Sequence, residues 1–151
     1  MNINFAIASL GNIPTILEMM KDFYSIDNYS FDSELGKENL IKFINTKELG
    51  RLWLIQIDEK IVGYVVLTFG FSFEYKGRDA FIDELYLKAN YRNQGFGKTT
   101  LEFLNRKAKE IGINAIHLEV EKHNEKGNKL YESHGFKTTN RRMLMTKIID
   151  E

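Results

Sequence analysis

The chain contains no cysteine. That excludes disulfides and thiolate metal sites, and it fits a cytoplasmic protein. Neither sign of charge is in excess: 21 Lys and Arg balance 21 Asp and Glu, for a formal net charge of +0. No global field then draws the protein to nucleic acid or to an anionic membrane, so any recognition of charge is local. There is no long apolar run and no basic-then-apolar leader, so neither a membrane span nor a signal peptide is expected. The three histidines, His117, His123 and His134, show no ligand-like spacing with acidic residues, and no metal is expected. Linkers, repeats and low-complexity stretches are also missing.

What is present suits a single domain over residues 1–151. Hydrophobic residues make up 43% and charged residues 28%, ordinary values for a globular protein long enough to bury a core. Ile3 to Ala8 reads as a strand. Asn12 is placed to cap a helix whose first turn holds Pro14 and whose buried stripe is Ile13, Ile16, Leu17 and Met20. Ser25 to Ser33 reads as a loop, and Leu40, Ile41 and Ile44 mark a second helix ending before Gly50. Arg51–Ile57 and Ile61–Tyr75 are strands joined by a turn at Asp58-Glu59-Lys60. Phe81–Leu87, Ala115–Val120 and Met143–Ile149 read as further strands, with helices after the fourth and fifth. The order β-α-α-β-β-β-α-β-α-β is a mixed, layered α/β arrangement.

The most informative stretch is Arg92-Asn93-Gln94-Gly95-Phe96-Gly97. It lies between the strand Phe81–Leu87 and a helix marked by Leu101, Leu104, Ala108 and Ile111, which Gly112 stops. Glycines at a strand-to-helix turn let ligand atoms approach the backbone, and the amides that open a helix lack internal partners. The combination suits phosphate or pyrophosphate. A nucleoside-triphosphate loop would need glycine five residues before Gly97, where Arg92 stands. A dinucleotide fingerprint would need a third glycine where Thr100 stands. Both fit poorly.

The pattern R/Q-x-x-G-x-G/A is met in full by Arg92, Gly95 and Gly97. A second block follows: Asn124, Gly127, then Leu130-Tyr131-Glu132-Ser133-His134-Gly135-Phe136. On these two blocks the sequence resembles the GNAT superfamily of acyl-CoA-dependent N-acyltransferases. Gly127 replaces the alanine usual in the family's N-x-x-A-x-x-x-Y-x-x-x-G-F segment. The resemblance implies the GNAT fold, a mostly antiparallel sheet flanked by helices, and acetyl-CoA as cosubstrate. It further implies that Arg92, Asn93, Gln94, Gly95, Phe96 and Gly97 wrap the coenzyme's pyrophosphate, chiefly through backbone amides. Lys98 and Thr99 either add a charge and a hydroxyl there or are plain helix surface. Leu85 and Leu87 would offer backbone to the pantetheine arm, with the Leu87 amide at the thioester oxygen. Asn124 would bond the same arm, or merely cap its helix.

Acyl transfer to an amine needs a base, because a free alkylammonium has a pKa of about 10.4. Asp83 and Glu84 precede the coenzyme loop, and strand alternation would send them to opposite faces. In polyamine-type members such an acidic pair serves acceptor binding and deprotonation; Glu84 is favoured here, then Asp83. The plainer reading is a surface ion pair or a hairpin brace. Tyr131 would protonate the leaving thiolate, or else only pack its helix. With no cysteine, a cysteinyl acyl-enzyme cannot form, which leaves direct attack within a ternary complex. The implied acceptor is a small amine or a lysine side chain; the competing reading is a non-catalytic acyl-CoA-binding or sensing module. Phe69, Phe71, Phe73 and Tyr75 alternate with smaller or polar residues and read as core. Alternatively they line the acceptor pocket or a homodimer contact. Tyr24, Tyr29 and Phe31, in or beside the early loop, are placed to close over an acceptor.

Overall fold

Branched and aromatic residues dominate three long segments, and these form the centre of a five-stranded sheet. A computed structural model describes residues 1–150, which fall into two compact units, Met1–Glu119 and a second beginning at Val120. In the first, β1 (Ile3–Ile7), β2 (Gly50–Ile57), β3 (Lys60–Ser72), β4 (Gly77–Leu87) and β5 (Ala115–His117) lie side by side in chain order. The first three pairings are antiparallel and β4 to β5 is parallel. The β2–β3 hairpin turns at Asp58 and Glu59, both with positive φ (48° and 71°), the twist that two-residue hairpins need.

Helices α1 (Ile13–Ile26) and α2 (Ser33–Asn45) cover one face. There Ile13, Ile16, Met19 and Leu40 pack on Leu52, Leu54, Tyr64, Val66 and Tyr86. Helix α3 (Phe96–Ile111) takes the other face: Phe103 stacks on Phe5 at 4.1 Å and meets Trp53 edge-on at 5.2 Å. Phe96 joins the cluster of Ile55, Ile57 and Val62 beneath it. Gly112, left-handed, ends α3 as expected.

Four expectations are corrected. Asn12 does not cap α1 with its side chain; its Oδ1 accepts instead from the Ser9 amide at 2.9 Å, closing a 3-10 turn over Leu10–Asn12. The loop expected over Ser25–Ser33 is shorter, because α1 runs to Ile26 and Asp32 caps α2 through the Leu35 amide. The strand expected at Ala115–Val120 has only three residues. Residues 143–149 form no strand: Met143, Leu144 and Met145 are exposed, and no ladder includes them. Apolar alternation describes a strand's faces, whereas a strand exists only with a partner along its edge.

The aromatic run is also not core. Phe71 and Phe73 are 71% and 92% exposed and touch mainly each other, edge to face at 5.7 Å. Only Phe69 is covered, between the guanidinium groups of Arg51 and Arg78 at 5.2 and 5.1 Å. The pairing of β3 with β4 continues to Ser72, beyond the residues that build the core clusters.

Gly63 of β3 stands opposite Leu87, and a Cβ there would lie 2.1 Å from the Tyr86 carbonyl oxygen. A backbone oxygen cannot swing aside, so the approach of β3 to the end of β4 requires glycine. Gly63→Ala should lower stability by about 3 kcal/mol. Urea denaturation should show an earlier midpoint at unchanged slope; an unchanged midpoint would show that the two strands can separate here without cost.

Candidate active site

Strand β4 carries most of the chemistry-bearing residues, and two irregularities shape it. The first is a bulge. Val66 pairs with Glu84 and Leu67 with Ile82, so Asp83 is the extra residue. Glu84 therefore shares a face with Val66, Tyr64 and Tyr86, under α1, while Asp83 is exposed. The pair does divide between two environments, but through a bulge rather than through simple alternation.

The second irregularity is an open edge. Pairing with β5 covers Asp79, Ala80 and Phe81 and stops there. The Lys88 amide donates to the Val62 carbonyl of β3 at 2.8 Å, so the neighbouring Leu87 amide and carbonyl point to the opposite edge. On that side the Leu87 carbonyl accepts from Arg92 Nε at 2.8 Å. By the same alternation the amides of Leu85 and Leu87 face outward, where an extended ligand can pair with them.

The glycine turn follows directly. Gly95, with φ of 87°, is the N-cap of α3, and no side chain caps the helix. A Cβ built on Gly95 would meet nothing within 4 Å, so the space beside the N-cap is open. The first intrahelical bond runs from the Thr99 amide to the Gly95 carbonyl. Uncapped amides, positive helix potential and open approach together fit a pyrophosphate. Thr99 turns its hydroxyl to the Gly95 carbonyl at 3.2 Å, Gln94 bonds the Asn90 carbonyl, and Lys98 is exposed. Asn93 sits left-handed at φ 61°. Arg92 turns inward. Beyond its bond to Leu87, its guanidinium lies 5.6 Å from the Tyr86 ring and 3.9 Å from Asp22 of α1.

Glu84 is half-buried, and both its oxygens are engaged. Tyr24 of α1 donates to Oε2 and Tyr64 of β3 to Oε1, each at 2.7 Å. Burial holds the carboxyl above the ordinary glutamate range. The two phenol bonds act against that rise and the Asp83 charge adds to it. Burial, with Glu84 alongside, raises both phenols, so they remain protonated donors. Tyr86 donates to Asp22 and is pushed up to about 12, first by burial and then by that carboxylate. Tyr64, Tyr86 and Asp22 were not singled out by sequence. One signal was there for Tyr64: a phenol inside the aliphatic run from Val62 to Leu67 needs a partner for its hydroxyl.

Asn124 and Tyr131 belong to the second unit. Asn124 caps α4 (Glu125–Ser133), accepting from the Gly127 amide at 3.0 Å. The capping side chain folds over Gly127, where a Cβ would lie 2.5 Å from Asn124 Nδ2, so a larger residue there would require Asn124 to shift. Tyr131 packs edge-on against Phe136 at 6.0 Å, and burial raises its phenol. Among the described residues no group of three or more His, Asp or Glu is placed to hold a metal, and no helix is long and apolar enough to cross a membrane.

Comparison with known proteins bears on the family and the fold. The model of the acetyltransferase (GNAT) family matches residues 15–136. An uncharacterized N-acetyltransferase of Bacillus subtilis is 37% identical over 89 residues, 58% of this chain and 56% of that protein. The thialysine N-epsilon-acetyltransferase of Bos taurus is 31% identical over 75 residues, 50% of this chain and 44% of that protein. These matches span about half the length of either relative. Among solved structures, an integron cassette protein from a salt-marsh metagenome superposes with a TM-score of 0.85 at 27% identity. That superposition covers 97% of this chain and 91% of the other.

A carboxyl raised in the folded state holds its proton to higher pH than in the unfolded chain. Its contribution to stability is therefore lost as pH rises from the ordinary glutamate value of 4.5 through the folded-state value. Glu84→Gln removes that dependence. The difference in Tm, variant minus wild type, should become more positive with rising pH, by a few degrees in all. A difference independent of pH would place the Glu84 carboxyl in water.

Proposed function

The chain belongs to the GNAT acetyltransferase family, and on that premise we propose that residues 1–151 form one N-acetyltransferase domain moving acetyl from acetyl-CoA to a primary amine. The observation that carries the reading is a desolvated carboxylate, Glu84, on the same strand whose open edge leads into the uncapped turn of α3. The amides of Phe96, Gly97 and Lys98 take the pyrophosphate, and the outward backbone of Leu85 and Leu87 takes the pantetheine arm. Arg92, engaged with Leu87, Tyr86 and Asp22, supports the loop from beneath and offers phosphate its backbone rather than its charge.

The acceptor enters as an ammonium. A half-buried carboxylate with a raised pKa recognises it and removes its proton. The neutral nitrogen then attacks the thioester carbon, and the Leu87 amide stabilises the oxyanion that forms. As the carbon–sulfur bond breaks, the nitrogen gives up its second proton to water, Tyr131 gives its own proton to the departing thiolate, and the Tyr131 oxygen is reprotonated from that water; Glu84 releases the first proton to solvent. A carbon–nitrogen bond is made and a carbon–sulfur bond lost. The acceptor is cationic, a small amine or a lysine side chain. The bovine relative's name, which specifies the ε-nitrogen of thialysine, supports that class. The protein acts in the cytoplasm.

A thiol-release assay with acetyl-CoA across a panel of amines tests the reading. Binding of acetyl-CoA without release for any amine would favour an acyl-CoA-sensing module instead. With the best amine, Glu84→Gln should cut activity about 100-fold at neutral pH and recover in part as pH rises and free amine becomes available. A loss equal at every pH would give Glu84 a binding role only. Tyr131→Phe should lower kcat about 10- to 100-fold with KM for acetyl-CoA little changed. Wild-type turnover would leave Tyr131 as a packing residue.

A further inference from the structure

The two oxygens of Glu84 are met by phenols from different elements, 40 residues apart along the chain: Tyr24 near the end of α1 and Tyr64 in the middle of β3. Each phenol is held in turn by rings. Tyr64 is fully buried and stacks on Tyr86 at 5.7 Å; Phe23 meets both rings, at 6.5 and 5.8 Å. Tyr24 is wedged between Phe23 and Phe31, edge to face at 6.1 and 5.3 Å. A carboxylate has about four lone-pair positions, two on each oxygen. One bond to each oxygen fixes the plane of the group and leaves one position on each free. Hydroxyl donors orient the carboxylate as an arginine would, but they carry no charge to hold it ionised or to repel an incoming ammonium.

We propose that Tyr24 and Tyr64 are positioning residues: together they clamp both oxygens of Glu84, fixing the orientation and proton affinity of the base. This rests on the reading of Glu84 as the base. The other titratable groups facing the carboxylate are Asp83 beside it on β4 and Tyr86 one ring beyond Tyr64, with Asp22 and Arg92 bonded or stacked behind Tyr86. The contacts of Tyr86, Asp22 and Arg92 run to one another and to Leu87 rather than to Glu84.

The test follows one quantity by two routes. Carbon-13 NMR of the carboxyl carbon, assigned by its loss in Glu84→Gln, gives the titration of Glu84 without any turnover. The pH profile of kcat/KM with acetyl-CoA and the best amine gives the titration of the catalytic base. Removing a donor to the charged form makes the carboxyl keep its proton to higher pH. Tyr24→Phe should therefore move both curves upward together, by about one pH unit. Tyr64→Phe should do the same and supplies a second variant, since one of the two phenols lies deeper in the core. A role in packing alone would move neither curve. If the NMR titration of Glu84 stays where it is in both variants, the clamp is overturned and the base reading stands. If it moves while the rate profile does not, the clamp holds and Glu84 is not the base.

Discussion

Strand β4 is paired with a strand on both edges only from Asp79 to Phe81, and the rest of the site depends on that limit. Past Phe81 the strand keeps its ladder to β3 and leaves its other edge open. Backbone amides left in this way are costly in a core and useful at a ligand site. The same segment carries the bulge at Asp83, which rotates Glu84 onto the face beneath α1. It ends at Leu87, whose carbonyl anchors the arginine that opens the glycine turn. One strand therefore supplies the open backbone, the acid and the support of the loop. β3 keeps it in place, and the glycine at position 63 allows the two backbones to meet so closely.

The burial of Glu84 runs against stability, and on the function proposed above it serves the base. A carboxylate satisfied by an arginine would be pinned in its charged form and would be a poor base. Here desolvation raises the group, while two neutral donors keep it from becoming an orphaned buried charge. Such a compromise is expected where a group must both take up and release a proton. It also explains why so many aromatic rings gather at the end of α1. A phenol offers a donor on a rigid, apolar body, so Tyr24 and Tyr64 can reach the carboxylate without bringing water or charge with them.

Much of this was legible in the chain, and the rest was hidden for definite reasons. The glycine turn declared itself because few residue types tolerate a left-handed N-cap with open approach, and Gly95 is one of them. The acidic pair was visible by its place before the turn, and so was the block from Asn124 to Phe136. The partners of Glu84 were not, because Tyr24 and Tyr64 are brought to it by tertiary packing that no local period encodes. The resemblance implied that the loop acts chiefly through its backbone, and the Arg92 guanidinium does turn away from it, toward Tyr86 and Asp22, which position alone would not have told. The aromatic alternation from Phe69 to Tyr75 gave the faces of a strand correctly but not the extent of its cover; exposure of Phe71 and Phe73 is set by where the neighbouring elements stop. The same limit applies to Met143–Ile149, where pattern alone could not provide an edge to pair with.

The end of α1 ties the two halves of this strand together. Asp22 receives the Tyr86 hydroxyl and faces the Arg92 guanidinium, while Tyr24, two residues on, holds Glu84. One helical turn thus touches the support of the glycine loop and the proposed base at once. The two sets of contacts are adjacent rather than shared: Tyr86 and Arg92 meet Asp22 from the β4 side, while the Tyr24 hydroxyl reaches Glu84. The helix backbone between Asp22 and Tyr24 is what joins them.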